Sequence, residues 1–418
     1  MYDLNFSRPF NPHKWSDEAP VNHITAYLLD ELSQHIRRNA NQKRVEYQDT
    51  LKKVILDLFI AHGQHHELFL AYSRDRRNYV RIRGYGQYVS YHKMIEVVDA
   101  LLALGYIFNQ PGYYKHDRGE GMRSRMIGRP KLIDLMNHGG VKKEMIRSRP
   151  DEIVLRAADD RSSLVGYRET VKTSKWKNNV AKISAKIGQT SVRLSLSDAE
   201  RMALIARKGM MPDCTNTSLY RVFNNGRFDH GGRFYGYYVQ GLPKEFRKRL
   251  TIDGEPTTEL DYSGLHINFL YLREGLRLPE GDVYDVGGLD HSLRELLKKV
   301  LIITLNAKNE RSAIRAIRNE DVAKGYSFQD IREIMGMFGA KHEPIRKYFN
   351  SGIGIELQFV DSGIAENIML GLAKNGIACL PIHDSFIVKA RYESELRDAM
   401  NQAMMSRFGA IIPIDKRF

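Results

Sequence analysis

Two aspartates in the carboxy-terminal half of this 418-residue chain interrupt apolar segments, where an unpaired charge is costly to bury. Asp261 ends the β-prone run TTELD and precedes the helix-like run SGLHINFLYL, while Asp384 divides the apolar run LPIHDSFIVKA into two β-prone pieces. Either residue alone is more simply explained as a turn or cap residue. Together, at the tips of neighbouring strands, the pair could hold two Mg²⁺ or Mn²⁺ ions, which clamp the attacking and leaving oxygens of a phosphoryl transfer.

A segment between the two aspartates carries a pair of cations. Arg294 and Lys298 are four residues apart and therefore share one face of a predicted helix. Two cations on one face can bind a triphosphate, so both are candidate nucleotide-binding residues. Asn306 follows two to three turns later. A solvated amphipathic helix explains the same spacing, although the surrounding run LLKKVLIITLNA is largely apolar.

The positive charge of the chain is concentrated in one half. The formal net charge is +14, but residues 51–250 carry +18, while residues 1–50 and 251–418 carry −1 and −3. Arginines alternate with tyrosines over residues 72–88, which offers phosphate contacts beside base-stacking surfaces. This localised surplus favours a nucleic-acid binder over a solvated basic surface that has no partner.

The amino-terminal part has the element order of a winged helix. A helix that ends at Gly105 is predicted within residues 91–107, followed by a short β-hairpin and a second helix. Five cations fall on or beside this hairpin: Lys115, Arg118, Arg123, Arg125 and Arg129. Arg118, Arg123 and Arg125 are the candidate contacts to nucleic acid. The alternative is an ordinary helix and hairpin with a solvated surface.

The pattern divides the chain into three segments. Residues 1–150 form the predicted winged-helix-like nucleic-acid-binding domain, and residues 151–225 contain basic connecting helices. Residues 226–418 begin with glycine-rich and aromatic strands and contain the candidate chemistry. The predicted fold class is α+β, with a mainly helical amino-terminal domain.

Composition excludes several classes of protein. No run approaches the ~18 apolar residues of a membrane span, and the segment MYDLNFSRPFNPHKW lacks the apolar core of a secretory signal. Cys214 and Cys379 cannot form a disulfide framework, so we expect a reducing cytoplasm, in a bacterial host or a phage-infected cell. The sequence contains no GxxxxGK[ST] phosphate-binding loop, so a nucleotide-hydrolysing helicase is not supported.

The ordered set of motifs resembles the single-subunit RNA polymerases of phages and mitochondria and the related DNA polymerase I family. The matching region runs from Arg227 to Arg391. Its motifs, in chain order, are Gly232-Arg233-Phe234-Tyr235 before the palm, Asp261-Tyr262-Ser263-Gly264 in the palm, Asp282-Val283-Tyr284 before the fingers helix, Arg294, Lys298 and Asn306 on that helix, Gln358 to Ala365, and Ile382-His383-Asp384-Ser385-Phe386.

This resemblance implies a right-hand polymerase with a palm, reduced fingers and thumb-like helices in residues 151–225. It implies that Asp261 and Asp384 are the catalytic ligands of two Mg²⁺ or Mn²⁺ ions, and that Arg294 and Lys298 contact the incoming triphosphate. It also implies nucleic-acid contacts by Arg233, Tyr235, Gln358 and His383, the last near the 3′ end of the growing strand.

Two nucleotide-binding positions depart from the family pattern. The fingers helix of the family usually carries an aromatic residue at the position of Asn306. The DNA polymerases carry a glutamate five residues after the first palm aspartate, where this chain has His266. Because both positions help to choose the sugar, the choice between rNTP and dNTP stays open.

The predicted function is template-directed nucleotidyl transfer on DNA. The small size and the fused DNA-binding region favour a primase-polymerase for replication of a phage, plasmid or mobile element, with a DNA template and NTP or dNTP substrates. This interpretation allows a replicative helicase as a partner and involves no membrane. The alternatives are a small DNA-directed RNA polymerase, a primer-extending DNA polymerase, an untemplated nucleotidyltransferase, and a replication-initiator-like DNA-binding protein with a non-catalytic polymerase scaffold.

Overall fold

The computed structural model describes residues 3–36, 44–79, 81–82, 89–115, 120–158, 163–287 and 291–418. Helices and strands are mixed along this chain, as the α+β prediction requires. Two compact units are present: Met1–Tyr220 with Tyr235–Gly254, and Arg221–Phe234 with Glu255–Phe418. The predicted middle segment, residues 151–225, therefore contributes mainly to the first unit. None of the described helices is long and apolar enough to cross a membrane.

The helices are α1 (Ala19–Leu32), α2 (Arg44–Gln64), α3 (Tyr91–Ala103), α4 (Pro130–His138), α5 (Val171–Gly188), α6 (Asp198–Lys208), α7 (Lys244–Arg247), α8 (Leu265–Arg273), α9 (Arg294–Asn306), α10 (Glu310–Arg318), α11 (Phe328–Lys341), α12 (Gly354–Lys374) and α13 (Glu393–Phe408). The strands are β1 (Ser7–Pro9), β2 (Lys14–Trp15), β3 (Phe69–Tyr72), β4 (Arg81–Ile82), β5 (Ile107–Gln110), β6 (Tyr113–Lys115), β7 (Glu120–Met122), β8 (Ser124–Gly128), β9 (Arg147–Ser148), β10 (Ile153–Leu155), β11 (Ser163–Leu164), β12 (Val192–Leu194), β13 (Tyr220–Phe223), β14 (Gly231–Tyr235), β15 (Leu250–Ile252), β16 (Glu255–Tyr262), β17 (Leu380–Ile382), β18 (Ser385–Lys389) and β19 (Ile414–Lys416).

A four-stranded sheet in the order β1–β3–β8–β5 organises the amino-terminal part of the first unit. β1 runs parallel to β3, and β8 runs antiparallel to both β3 and β5. The helices α1, α3 and α4 pack against α2, which also packs against β8. Leu51, Val54, Ile55 and Leu58 of α2 recur at helical spacing and are buried in the shared apolar core.

The hairpin predicted for the wing is present in the first unit. β6 pairs antiparallel with β7. The preceding helix, predicted to end at Gly105, ends at Ala103, and Gly105 adopts a left-handed φ of 75° just after it. The hairpin tip, residues 116–119 with Arg118, lies outside the described residues. The winged-helix identity of this region stays a prediction.

The two described arginines of the predicted wing differ in exposure. Arg123 lies between β7 and β8 and is exposed. Arg125 is only 2% exposed, and its guanidinium donates to the carbonyls of Leu4 at 3.1 Å and Arg123 at 2.9 Å. The structure does not support the predicted nucleic-acid contact of Arg125, because β8 is an inner strand whose residues are buried.

Antiparallel pairing of β17 with β18, of β18 with β16 and of β16 with β19 organises the second unit. α13 packs against β16 and β18 and also against α12, while α12 packs against α9. Leu260 on β16 and Phe386, Ile387 and Val388 on β18 are buried. This burial explains the apolar β-prone runs around the two candidate aspartates.

A buried ion pair joins distant parts of the first unit. Arg8 donates to both carboxylate oxygens of Asp57, at 2.7 Å and 3.1 Å, and its Nε donates to Gln64 at 2.9 Å. Asn11 donates through its backbone N–H to Asp57 and through its side chain to Asp213. Arg8 is 1% exposed and Asp57 is 0% exposed, so neither charge is solvated.

We expect Arg8→Met to destabilise the first unit by about 3–5 kcal/mol, because it leaves the Asp57 carboxylate buried without its counter-charge. The measurement is the free energy of unfolding from a denaturant titration. Arg44→Met is the matched control, since Arg44 pairs with Asp30 where the side chains are 48% and 67% exposed; its cost should stay within about 1 kcal/mol. Equal losses in the two variants would contradict the structural role of Arg8.

Candidate active site

The register of the second sheet brings Asp261 and Asp384 to adjoining strand ends. Asp261 lies near the end of β16, opposite Ser385 of β18 on one side and Asp415 of β19 on the other. Asp384 directly precedes Ser385, in the two-residue turn between β17 and β18. The two aspartates singled out in the sequence, although far apart in the chain, therefore lie at adjoining strand ends.

The charge of Asp384 disfavours the charged form of Asp261. Burial, followed by the nearby charge of Asp384, raises the pKa of Asp261 to about 6, although Arg417 and Lys298 act in the opposite direction. The Asp261 side chain is 14% exposed, so water screens the repulsion only weakly. A close, poorly solvated carboxylate pair is stabilised by a bound cation.

The chemistry of this pair suits a hard divalent cation. Mg²⁺ and Mn²⁺ prefer oxygen ligands, and Mg²⁺ usually keeps waters and substrate phosphates beside one or two protein carboxylates. No group of three or more histidine, cysteine, aspartate or glutamate side chains that could hold a metal ion is present among the described residues. Ions held by Asp261 and Asp384 would therefore complete their coordination with water or substrate oxygens.

The predicted cationic helix is α9, and its first turns carry both cations. Arg294 and Lys298 lie over the Tyr284 ring, at 5.5 Å and 5.8 Å from its centroid. Arg294 Nε also donates to Asp282 Oδ2 at 2.8 Å. Lys298 is close enough to Asp261 to lower the pKa of that carboxyl. The cation pair thus lies in the same electrostatic field as the carboxylates.

Tyr284 contacts both cations through its ring, and the charges of both carboxylates act on its hydroxyl. Burial, followed by the charges of Asp384 and Asp261, raises its pKa to about 12, so the phenol stays protonated at neutral pH and can donate a hydrogen bond.

The neighbouring Val283 packs against Gly264, which has φ 61°; a Cβ at Gly264 would collide with the valine side chain. Glycine at this position therefore allows the close approach of the two segments.

A second buried carboxylate, Asp361 on α12, orients two of the predicted site residues. Arg233 Nε donates to Asp361 Oδ2 at 3.1 Å, and His266 Nε2 lies 2.9 Å from the same oxygen. Burial alone would raise the pKa of Asp361, but the hydrogen bond from His266 and the charge of Arg233 hold the pKa below its usual value. The aspartate is therefore ionised, so His266 must donate its Nε2–H to it.

His383 and Gln358 lie next to this cluster. His383 occupies the β17–β18 turn at φ 69°, a left-handed conformation that costs a non-glycine residue about 1–3 kcal/mol. Burial, with the charge of Arg233, lowers the pKa of His383, and the charge of Asp361 also reaches its ring. Gln358 is half-buried on α12, three residues before Asp361 and hence on the same helix face.

Two predicted site residues have different surroundings. Asn306 ends α9, about 18 Å along the helix from Arg294. Its Nδ2 donates to the Ile302 carbonyl at 2.7 Å, and it packs so closely on Gly354 that a Cβ there would collide with it. Tyr235 belongs to the first unit, with its ring centroid 6.4 Å from that of Tyr220. The roles suggested for Asn306 and Tyr235 stay predictions.

Sequence reasoning missed two residues of this region, Asp361 and Arg417. Asp361 is the single charged residue between Glu356 and Glu366 in the largely apolar run of α12, and a buried charge in such a run is a signal that could have been used. Arg417 Nε donates to Asp261 Oδ2 at 3.0 Å. No local pattern marks Arg417, because the contact depends on the pairing of β19 with β16.

No protein-family model and no curated protein sequence matches this chain. Among solved structures, it is similar to the "POL domain of Pol1 from M. smegmatis complex with DNA primer-template and dNTP". The identity is 12% and the TM-score is 0.33, over 52% of this chain and 49% of that chain. The chain therefore matches about half the length of that domain, and the interpretation of the site rests on its own geometry.

We expect Asp384→Asn to stabilise the metal-free protein above about pH 6, because it removes the charge that, together with the larger effect of burial, opposes ionisation of Asp261. From about pH 4 to about pH 6, native wild-type Asp261 keeps a proton that the unfolded chain, with a pKa of 3.8, has lost. Wild-type stability should therefore fall as the pH rises through this window, and the fall should be smaller in the variant. Thermal unfolding in EDTA at several pH values should show a gain of about 1–2 kcal/mol.

Asp398→Asn, on the exposed face of α13, is the control for this substitution. It should change the stability by no more than about 0.5 kcal/mol at any pH in the same range. If Asp384→Asn is no more stable than the wild type near neutral pH, the two carboxylates do not repel each other as described.

Proposed function

We propose that this chain is a template-directed nucleotidyltransferase that acts on DNA by phosphoryl transfer with divalent cations. The observation that supports this function most is the placement of Asp384 next to Ser385, the residue that pairs with Asp261, so that both carboxylates lie within electrostatic reach of each other and Asp261 within reach of Lys298. The carboxylate pair can bind divalent metal ions, and the Arg and Lys side chains of α9 can bind the phosphates of a nucleotide. Together they would form a site for a metal–nucleotide complex.

Each side chain has a task in the proposed reaction. Asp261 and Asp384 would hold two Mg²⁺ or Mn²⁺ ions, which when bound activate a hydroxyl and neutralise charge on phosphate oxygens. Arg294 and Lys298 would bind the β- and γ-phosphates of the nucleotide. The 3′ oxygen of the growing strand would form a bond to the α-phosphorus of the nucleotide. The bond from that phosphorus to the oxygen that bridges the α- and β-phosphates would break, and the hydroxyl proton would pass to water. Pyrophosphate leaves with its negative charge beside Lys298.

The first unit supplies the proposed DNA-binding surface. Residues 51–250, most of which belong to this unit, carry a net charge of +18. α5 contains five lysines and no acidic residue. Lys175 and Lys182 are exposed two turns apart on one face, and neither forms an ion pair with another described residue. Lys177 differs, because its ammonium binds the Glu169 carboxylate at 3.2 Å.

The proposed biological role is priming or initiation of replication in a phage, plasmid or mobile element. The short catalytic region and the basic first unit support this role, since one chain would bind DNA and start synthesis on it. A small DNA-directed RNA polymerase and a primer-extending DNA polymerase are the alternatives. His266 and Asn306 leave the sugar choice to experiment, because neither is the residue usual at its position in the polymerases that the sequence resembles.

The test of the proposed function is incorporation of labelled rNTPs and dNTPs by the full-length protein on single-stranded DNA, with Mg²⁺ or Mn²⁺, with and without an annealed primer. We expect template-matched product, and at least a ~10²–10³-fold loss of rate in Asp384→Asn because a ligand for the charge-neutralising ions is gone. Product without a primer would identify a primase or RNA polymerase, and product only with a primer would identify a DNA polymerase.

Adjacent lysines of α9 provide the control for nucleotide binding. Lys298→Met should lower kcat/KM for the nucleotide by roughly 10–100-fold, as expected for loss of a hydrogen bond to a charged group. Lys299→Met removes the same charge one residue later, where the ammonium binds Glu320 at 2.8 Å, and should have little effect. Retained DNA binding with no incorporation under any condition would instead support a non-catalytic initiator scaffold.

We expect the double variant Lys175→Gln, Lys182→Gln to weaken binding of single-stranded DNA through lost phosphate contacts. The slope of log K against log salt concentration should become less negative by roughly 1.4, which is about 0.7 for each lost contact. Fluorescence anisotropy at a series of salt concentrations measures this slope. The single variant Lys177→Gln should change it by much less, because Lys177 is already paired with Glu169. An unchanged slope in the double variant would exclude this face of α5 from the interface.

A further inference from the structure

The carboxy-terminal strand carries a cation to the candidate catalytic pair. β19 pairs with β16 so that Asp415 lies opposite Asp261. After the strand, the backbone N–H of Arg417 donates to the Glu259 carbonyl at 2.8 Å, and Thr258 Oγ1 donates to the Phe418 carbonyl at 2.8 Å. These bonds fix the backbone of Arg417 alongside β16.

The Arg417 side chain binds one of the two candidate metal ligands. Its Nε donates to Asp261 Oδ2 at 3.0 Å, and a terminal nitrogen of the guanidinium donates to the same oxygen. The carboxylates of Asp415 and Glu259 also act on its charge. In the metal-free protein, Arg417 therefore supplies part of the positive charge that the carboxylate pair requires.

A divalent cation that binds Asp261 through Oδ2 would compete with Arg417 for that oxygen. Asp261 Oδ2 already accepts two N–H donors, so its lone pairs are occupied. The Arg417 side chain is 41% exposed, whereas that of Asp261 is 14% exposed and belongs to a strand paired on both sides. The arginine thus has solvent into which it can move, while the carboxylate has a fixed position.

We propose that Arg417 is a built-in counter-charge that leaves Asp261 when a divalent cation binds, so that the carboxy-terminal strand sets the metal affinity of the site. This inference rests on the proposed function, because it takes Asp261 and Asp384 as the metal ligands. The coupling is reciprocal: removal of Arg417 strengthens metal binding by the same factor by which bound metal weakens the arginine contact.

The test is Mn²⁺ binding to the full-length protein without nucleotide or DNA, measured from the electron paramagnetic resonance signal of the unbound ion. Arg417→Gln should bind Mn²⁺ roughly tenfold more tightly than the wild type, within the usual range of such couplings. Arg417→Lys should fall between them, because lysine keeps the charge but loses the planar guanidinium geometry. Lys416→Gln is the matched control, since that ammonium binds Glu393 at 2.7 Å, and it should bind Mn²⁺ like the wild type.

Asp384→Asn distinguishes failure of this inference from failure of the proposed function. Mn²⁺ binding that is lost in Asp384→Asn but equally tight in wild type and Arg417→Gln would overturn the role of Arg417 alone. Absence of Mn²⁺ binding in every variant, or binding that ignores Asp384→Asn, would overturn both proposals.

Thermal unfolding checks that the variants are folded and reports on the same exchange. In EDTA, Arg417→Gln should unfold at a lower temperature than the wild type, because the carboxylates lose their counter-charge. At saturating Mn²⁺ the difference should disappear, because the arginine no longer contacts Asp261. An equal difference with and without Mn²⁺ would mean that Arg417 only supports the fold, and would contradict the proposal.

Discussion

The repulsion between Asp261 and Asp384 is the constraint on which the proposed chemistry of the second unit depends. The pairing of β16 with β18 places Asp261 opposite Ser385 and so holds the carboxylates of Asp261 and Asp384 near each other. Their separation is set by backbone hydrogen bonds and by buried apolar residues such as Leu260 and Phe386. The sheet therefore holds two carboxylates close together although their charges repel each other. Such carboxylate pairs are common where a protein binds metal or performs catalysis.

The carboxylate pair and its flanking motifs could be predicted from sequence because their signals are local. An aspartate that ends a β-prone run before a helix, or one that divides two apolar strands, predicts a strand-end position from its neighbours alone. The spacing of Arg294 and Lys298 likewise predicts a shared helix face, and both lie over Tyr284 in the structure. Local patterns thus identified side chains that the fold brings within electrostatic reach of one another.

The features that sequence reasoning missed depend on contacts between distant residues. The sequence pattern places Arg125 among the cations of the predicted wing. In the structure its strand β8 is paired on both sides, and the residue is buried. Arg417 has no informative neighbours and gains its role only through the β16–β19 register. Asn306 has the predicted spacing from Arg294, but spacing does not reveal that it packs on Gly354 at the far end of α9. Strand pairing and helix packing decide these cases.

Asp361 and Asp261 differ in how fully the fold compensates the charge of the carboxylate. Both are poorly exposed, but hydrogen bonds and charge from His266 and Arg233 keep the pKa of Asp361 below its usual value, whereas burial and Asp384 raise that of Asp261. Asp361 has its partners within the fold and fixes the two side chains that it binds. Arg417 and Lys298 compensate the charge of Asp261 only in part, because its pKa stays raised. A divalent cation is therefore expected at Asp261 rather than at Asp361.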